Sequence, residues 1–422
     1  MKKILSAVLE AGLLLCCLSI ALGQTPQKPL ENVFTLELQF GDKDVPDEYL
    51  LAQPRSLAVN NAGDIYVFDE FKIKVFDKNG KPKAIFGGRG QGPGEFNESP
   101  RNFFISPTGW LTVSESQSYS IFSPANKLID KIRYLSIPAY NSIKNDYKIN
   151  LGNIAFNAKI FALNEKEIII TQSTVAPENF NEKDEYYDYL FYTNVDKLSV
   201  LAKYRKEEIF TYKIQGGFGS EIAEMLGRLW YAIISSSKIF YTHTFHDVAF
   251  SNTNAQLTFH ILSPAGNTAS YFAVTYQLEA IPDSVIQKYN PSYREKLRKE
   301  SAERMKQRYP QLDISYKLSD EEKDMYNRIE NALKQRKYKP MFTALQSDGA
   351  YIFLINDTAE KGSIKYIVTV INSESGKEVS RFITFEYIYG TIKNGYLYKL
   401  TTPKDGYPVV QKYRIDPRVY GK

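Results

Sequence analysis

Between residues 54 and 135 the chain repeats itself at a spacing of 46 residues. Pro54 falls on Pro100, Arg55 on Arg101, Gly63 on Gly109, Val67 on Val113, Phe76 on Phe122 and Lys81 on Lys127. The apolar slots match as well: Leu57 with Phe103, Val59 with Ile105, Ile65 with Leu111 and Val75 with Ile121. Within the first copy the apolar residues alternate in short runs, broken at Asn61-Ala62-Gly63-Asp64 and Asp77-Lys78-Asn79-Gly80. A period of two is that of a strand, and Asn and Gly at the breaks supply the positive φ of tight hairpins. Four short strands within a repeat of roughly 40–50 residues make one blade of a β-propeller. A lone blade leaves both its faces exposed, so the copies must stack radially around an axis.

The rest of the chain is read against that unit. Residues 24–32 form a polar, Pro-containing linker. Phe34, Leu36, Leu38 and Phe40 then alternate with polar residues. This strand precedes the first repeat and has no partner of its own, so it is expected to complete the last blade and remove an exposed edge. Blade three is expected in 151–204, with an acidic, Tyr-rich projection at 178–187, and blade four in 229–275. Residues 282–338 break the pattern with a helical hairpin. Asn290-Pro291-Ser292 opens its first helix, with Ser292 and Glu295 spaced as a capping box; Ser319 and Glu322 form a second box. Met325, Ile329 and Leu333 give the second helix an apolar stripe. Blade five restarts near Met341, and blade six, 390–415, closes with the 33–40 strand. The expectation is an all-β, six-bladed β-propeller over 33–422, with a helical hairpin inserted before blade five. The 31 Tyr and 25 Phe against 2 Trp suit such a strand-rich body.

The run Gly63-Asp64-Ile65-Tyr66-Val67, then Val75-Phe76-Asp77, then Gly90-Gln91-Gly92-Pro93-Gly94-Glu95-Phe96 resembles NHL-type repeats. With Asn394-Gly395-Tyr396-Leu397-Tyr398 and Tyr413-Arg414-Ile415 near the end, the chain is similar to secreted six-bladed propeller proteins of Gram-negative bacteria. The likeness covers the first two blades and the last. That family has no single established activity, so the resemblance implies a fold and export, not a reaction.

Met1 to Gly23 reads as a secretory leader: Lys2 and Lys3, an apolar stretch from Val8 to Leu22, and small residues before a cut at Gly23/Gln24. The expected location is secreted or periplasmic, with lipid anchoring through Cys16 or Cys17 as an alternative. Both cysteines lie in this segment, so the mature chain has no disulfide, thiolate nucleophile or Cys-held metal. Losing Lys2, Lys3 and Glu10 takes the net charge from +5 to +4, too mild to argue for nucleic acid.

Chemistry is thinly marked. The glycine-rich run 87–94 lacks the Lys-Ser/Thr and following helix of a phosphate loop and is expected to link blades. His243-Thr244-Phe245-His246-Asp247 is the local histidine cluster, and it makes no chelate unless its strand ends there. No G-x-S-x-G element is present. Propeller hydrolases and lyases of the lactonase kind hold a metal in the central channel with acids from several blades. Asp69 and Glu115, equivalent across the repeat, are the residues that could do so for Ca or Zn; the structural alternative is that they accept backbone N–H bonds or pair with Arg. Arg55 and Arg101 follow the proline that starts each innermost strand, which puts them near a channel mouth where they could hold a carboxylate or sulfate. The first inserted helix is basic, and Arg298 and Lys299 are candidates for an anionic membrane or polyanion surface. The expected protein is thus an exported, monomeric, non-catalytic binding or scaffold propeller without a cofactor. Its ligand would be a small molecule, glycan or protein, met at the channel mouth or the insert. The alternative is a metal-dependent propeller hydrolase or lyase.

Overall fold

The computed structural model describes residues 29–133, 159–173, 187–194, 197–205, 210–214, 217–221, 227–263, 270–311, 315–360, 363–386, 388, 390–404 and 406–422. The leader and the projection at 178–186 lie outside them. Strand β1 (Phe34–Phe40) comes first. Blade one is the meander β2 (Pro54–Val59), β3 (Ile65–Asp69), β4 (Lys72–Phe76) and β5 (Pro82–Gly87). Blade two is β6 (Asn102–Ile105), β7 (Leu111–Ser114), β8 (Ser118–Phe122) and β9 (Leu128–Arg133). Blade three is β10 (Lys159–Ala162), β11 (Ile168–Ser173), β12 (Tyr187–Thr193) and β13 (Leu198–Arg205).

A two-stranded hairpin, β14 (Phe210–Ile214) and β15 (Gly217–Glu221), separates blades three and four. Nothing in the repeat spacing pointed to it. Blade four has five strands: β16 (Leu229–Ser235), β17 (Lys238–His243), β18 (Val248–Phe250), β19 (Asn254–Leu262) and β20 (Ser270–Gln277). The extra strand arises because β19 is long; its first half pairs with β18 and its second half with β17. After the insertion come blade five, β21 (Ala344–Asp348), β22 (Tyr351–Glu360), β23 (Ser363–Asn372) and β24 (Lys377–Thr384), and blade six, β25 (Thr391–Lys393), β26 (Tyr396–Thr401) and β27 (Val409–Ile415).

β1 pairs antiparallel with β27, from Phe34 opposite Ile415 to Phe40 opposite Val410, and so forms the outer strand of blade six. The first and last strands therefore share one sheet. Six apolar cores, one between each pair of neighbouring blades, account for the ring. Tyr66, Phe68 and Ile73 of blade one meet Ile105, Leu111 and Phe122 of blade two. Between blades six and one, Phe40, Tyr398 and Val410 meet Ile65, Val67 and Phe76. Buried strand residues thus alternate between two neighbours, which is why the strands read as continuously apolar.

The turn at 77–80 is held by the Asp77 carboxylate, which accepts from Asn79 N at 2.8 Å and Lys81 N at 2.9 Å. Gly80 takes the positive φ, +78°, and Asn79 does not. A Cβ on Gly80 would lie 2.8 Å from the Phe40 ring, so this glycine also makes room for the closing strand. In the glycine-rich run, Gly92 N donates to the Glu95 carboxylate at 2.8 Å, and Phe96 plugs the core between blades one and two. The run links blades, as its sequence indicates.

The insertion comprises α1 (Asp283–Gln287), α2 (Pro291–Arg308) and α3 (Asp320–Arg336). The cap of α2 differs from the expected box: Asn290 is the N-cap and accepts from Ser292 N and Tyr293 N. Pro291 fixes the helical φ at the first position, so the helix starts two residues before the box would allow. The Ser319–Glu322 box is formed with both bonds, and Met325, Ile329 and Leu333 are buried with Ile281 and Leu318 in the insert's own small core. The insert docks on blade four through Arg336, which donates to Thr244 O at 2.9 Å while its guanidinium lies 5.2 Å from the Phe245 ring.

Candidate functional site

In a propeller every innermost strand starts at the same mouth of the channel. Arg55 is the second residue of β2, Arg101 immediately precedes β6, Lys159 begins β10 and Arg228 immediately precedes β16. Four consecutive blades therefore bring a basic side chain to one rim. All four are exposed to water.

Neighbouring inner strands run closely together around the ring, β25 on β2, β2 on β6, β6 on β10, β16 on β21 and β21 on β25. β10 and β16 approach less closely. A cavity of about 440 Å³ opens there, walled by Asn102 and Phe104 of β6, Lys159 and Phe161 of β10, residues 228–233 of blade four and 345–347 of β21. It also reaches Thr171, Asp188 and Tyr189, residues on the second and third strands of blade three, so it cuts into the seam between blades three and four. Its volume is within the range of small-molecule sites.

Two features give this cavity its chemistry. The first is a pair of like charges. Lys159 makes no hydrogen bond or ion pair among the described residues. Enclosure by the channel wall lowers its pKa, and the Arg228 guanidinium lowers it further. Arg228 lies over Trp230, its Cζ 3.7 Å from the ring centroid. Its backbone is fixed by reciprocal bonds with Thr244, 3.1 Å from Arg228 N to the hydroxyl and 3.2 Å from Thr244 N to Arg228 O. Thr244 is the residue that Arg336 of the insert holds. The second feature is a polar seam behind the cavity. The hydroxyl of Tyr231 meets that of Thr171 at 3.2 Å, and burial pushes its pKa up to about 12, so it remains protonated.

His243 ends β17, and the chain turns there, which brings its ring to 4.6 Å from that of His246. Its Nδ1 accepts from Phe245 N and His246 N, both at 3.2 Å, which leaves the proton on Nε2, 3.9 Å from Asp188. Burial, with the nearby His246, lowers its pKa to about 4. Asp247 accepts from His243 N at 2.7 Å and from the Tyr204 hydroxyl at 2.9 Å, and His260 lies 3.3 Å away. His260 stands opposite Tyr241 in the sheet.

The acids singled out in the sequence lie elsewhere. Asp69 is fully buried at the end of β3; its carboxylate accepts from Ala52 N and from Gln53 N at 2.6 Å, and Lys74 Nζ lies at 2.7 Å. Glu115 does the same one blade on, accepting from Asn97 N at 2.6 Å with Lys131 Nζ at 3.2 Å. The cation comes from a different strand because Ser120 occupies the place of Lys74, and Lys131 is paired opposite Ser120. A metal ion would have to displace an ammonium and backbone donors at both sites, so these residues do not fit Ca or Zn as they stand. Among the described residues no three His, Cys, Asp or Glu are placed to hold an ion. Arg55 and Arg101 are not in the cavity wall. Arg298 donates to Glu322 at 2.6 Å, and Lys299 faces a separate groove beside Tyr316. Sequence reasoning missed Lys159, Arg228 and Asp188. The signal available was the same one that marked Arg55 and Arg101, a basic residue at the start of an inner strand.

No family model matches the chain, and no curated protein matches it. Among solved structures, a Bacteroides fragilis protein described as exported is similar over 93% of this chain and 98% of its own, at 10% identity and a TM-score of 0.44. The WD40 domain of Neurospora crassa Pan2 is similar over 92% and 97%, at 9% identity and a TM-score of 0.35. Likenesses this distant carry no argument about activity.

Proposed function

We propose that the chain is an exported, non-catalytic binding propeller whose ligand is a small molecule taken into the cavity between blades three and four. The observation that carries this reading is the cavity itself: the inner strands part at one seam of an otherwise close ring, and polar side chains converge there. His243, the imidazole beside the cavity, has its Nδ1 engaged by two backbone donors and is not free to accept a proton there. Export is supported by the leader-like segment at 1–23 and by a mature sequence without cysteine.

The test is a thermal-shift screen of small molecules on the mature chain, repeated with Ser347→Trp, which fills the cavity from β21. Ligands should stabilise the wild type and lose their effect in the variant. Ligands whose effect survives Ser347→Trp would refute the assignment of the site. Chelation supplies the contrast with a metal-dependent hydrolase: the binding reading expects the same melt with and without EDTA. Fusing residues 1–32 to a reporter should release it from the cytoplasm with cleavage before Gln24.

A further inference from the structure

The insert has a concave surface of its own, which shares no lining residue with the cavity between blades three and four. This groove of about 520 Å³ is walled on one side by Lys299, Ala302, Glu303 and Lys306 of α2, and on the other by Ser315, Tyr316 and Lys317 of the segment leading into α3. Lys299 and Lys306 are two helical turns apart, so they share one face and stand about 10 Å apart along the axis. Lys317 brings a third ammonium from the opposite wall. Among the described residues none of the three makes a hydrogen bond or an ion pair, and Glu303 is the single acid of the lining. Charges elsewhere on the insert are paired. On α3, Lys334 meets Glu330 at 2.8 Å and Arg328 meets Asp324 at 4.0 Å. Arg298 of α2 donates to Glu322. The Lys299 ammonium instead stands 5.9 Å from the centroid of the Tyr316 ring. With seven Lys or Arg against three Glu on α2, the field at the groove is positive.

Ammonium groups that come from two walls and from positions two turns apart suit an extended anion better than a compact one. The groove offers no guanidinium fork. Lysine is a compact, hydrated point charge, which suits carboxylate or sulfate groups whose place varies along a chain. The half-exposed ring of Tyr316 presents a flat face for the C–H side of a sugar. A bilayer fits less well. Leu297 and Met305, the exposed apolar residues of α2, line no part of the groove, and an interfacial helix needs its apolar side chains gathered on one face. We propose that this groove binds a linear anionic polysaccharide, with its carboxylate or sulfate groups on Lys299, Lys306 and Lys317 and one sugar ring on Tyr316. The choice of a glycan over a nucleic acid rests on the exported location proposed above. The groove and its charge depend neither on export nor on the cavity.

The experiment is calorimetric titration of the mature chain at pH 7 and low salt with a heparin octasaccharide and an oligogalacturonate of equal length. Neutral maltooctaose, an oligothymidylate, and vesicles of equimolar phosphatidylcholine and phosphatidylglycerol are the controls. At least one anionic glycan should bind, the two arms showing whether sulfate or carboxylate is preferred, and added salt should weaken it. Each control should bind at least tenfold more weakly. The triple variant Lys299→Gln, Lys306→Gln, Lys317→Gln should lose at least tenfold in affinity, and Tyr316→Ala at least threefold. Removing the same charge outside the groove, by Lys296→Gln, Arg304→Gln and Arg308→Gln together, should cost less than threefold, with thermal melts showing every variant folded. Ser347→Trp should leave glycan binding unchanged. Failure of both glycans at millimolar concentration, an equal loss in the two triple variants, full binding by Tyr316→Ala, or loss in Ser347→Trp would overturn the assignment to this groove. Binding of the oligothymidylate or the vesicles as tight as that of the glycans would overturn the choice of a polysaccharide.

Discussion

Asp69 and Lys74 allow a quantitative test of what the carboxylates of the repeat are for. Both side chains are within 5% of complete burial, 2.7 Å apart, and the carboxylate also takes Ala52 N and Gln53 N from the segment that leads into β2. The Lys74 ammonium additionally reaches Leu50 O. Replacing Asp69 by Leu strands a buried ammonium and removes the acceptor of two N–H groups. Breaking a buried pair from one side costs about 3–5 kcal/mol. At roughly 2.1 cal/mol/K of unfolding entropy per residue, a chain of this length should lose about 4–6 °C in Tm. Lys74→Met should cost less, because the backbone donors still solvate the carboxylate. The double variant removes both charges, and Ala52 and Gln53 are exposed, so water can serve their N–H groups. Its cost should fall short of the sum of the single costs by at least about 2 kcal/mol. Urea titration of the four proteins measures this directly. An additive cycle, or an Asp69→Leu protein with wild-type stability and a lost ligand or metal, would refute the reasoning and return Asp69 to the binding candidates.

Three further outcomes follow from the same geometry. His243 titrates at about 4 when folded and near 6.5 when unfolded, so between those values the unfolded chain binds a proton that the folded ring refuses; stability should fall by up to about 3 kcal/mol from pH 6.5 to pH 4, and His243→Asn, which keeps an acceptor for the two N–H groups, should flatten that slope in urea titrations, an unchanged slope being contrary. Gly80→Ala combines a positive φ, costing about 1–2 kcal/mol, with a clash on Phe40 of the closing strand; its melt should drop measurably, and a wild-type melt would mean that the closure does not depend on this turn. Arg336→Gln removes the insert's bond to Thr244 O, so limited proteolysis should cut within 282–338 sooner while the blades persist, and an unchanged cleavage rate would show that the insert is held by other contacts.

Much of the fold was legible because blades one and two obey one rule repeatedly. Each strand is short, apolar on both sides and bounded by a turn that needs Gly or Asp, so Pro54–Phe96 announces its own topology. The closing strand was legible for a negative reason: 34–40 alternates but lacks a neighbour in sequence. The middle of the ring was harder to read because its strands are spaced unevenly, and β14, β15 and the extra strand of blade four leave no periodic mark. The cap of α2 was misplaced by two residues because Pro291 was weighed less than the Ser292–Glu295 spacing. The cavity was illegible for a different reason. Lys159 sits in Asn157-Ala158-Lys159-Ile160 and Arg228 in Gly227-Arg228-Leu229-Trp230, each a single basic residue before an apolar run. Only ring closure brings them together with Asp188, and the parting of β10 from β16 is a property of packing that no local pattern records.

The contrast between the two sets of charges sharpens the functional reading. At Asp69 and Glu115 each carboxylate meets an ammonium and backbone donors inside a sealed corner, and the same arrangement recurs in consecutive blades. Repetition of that kind suits a part that every blade needs, the joint between one blade and the next. At Lys159 and Arg228 the charges are alike, water reaches them, and among the described residues the inner strands of neighbouring blades approach least closely there. The wall instead places Trp230 beneath the guanidinium and leaves the ammonium unpaired. On the proposed reading, the sealed pairs hold the blades in register, and the seam where β10 parts from β16 is where a ligand enters.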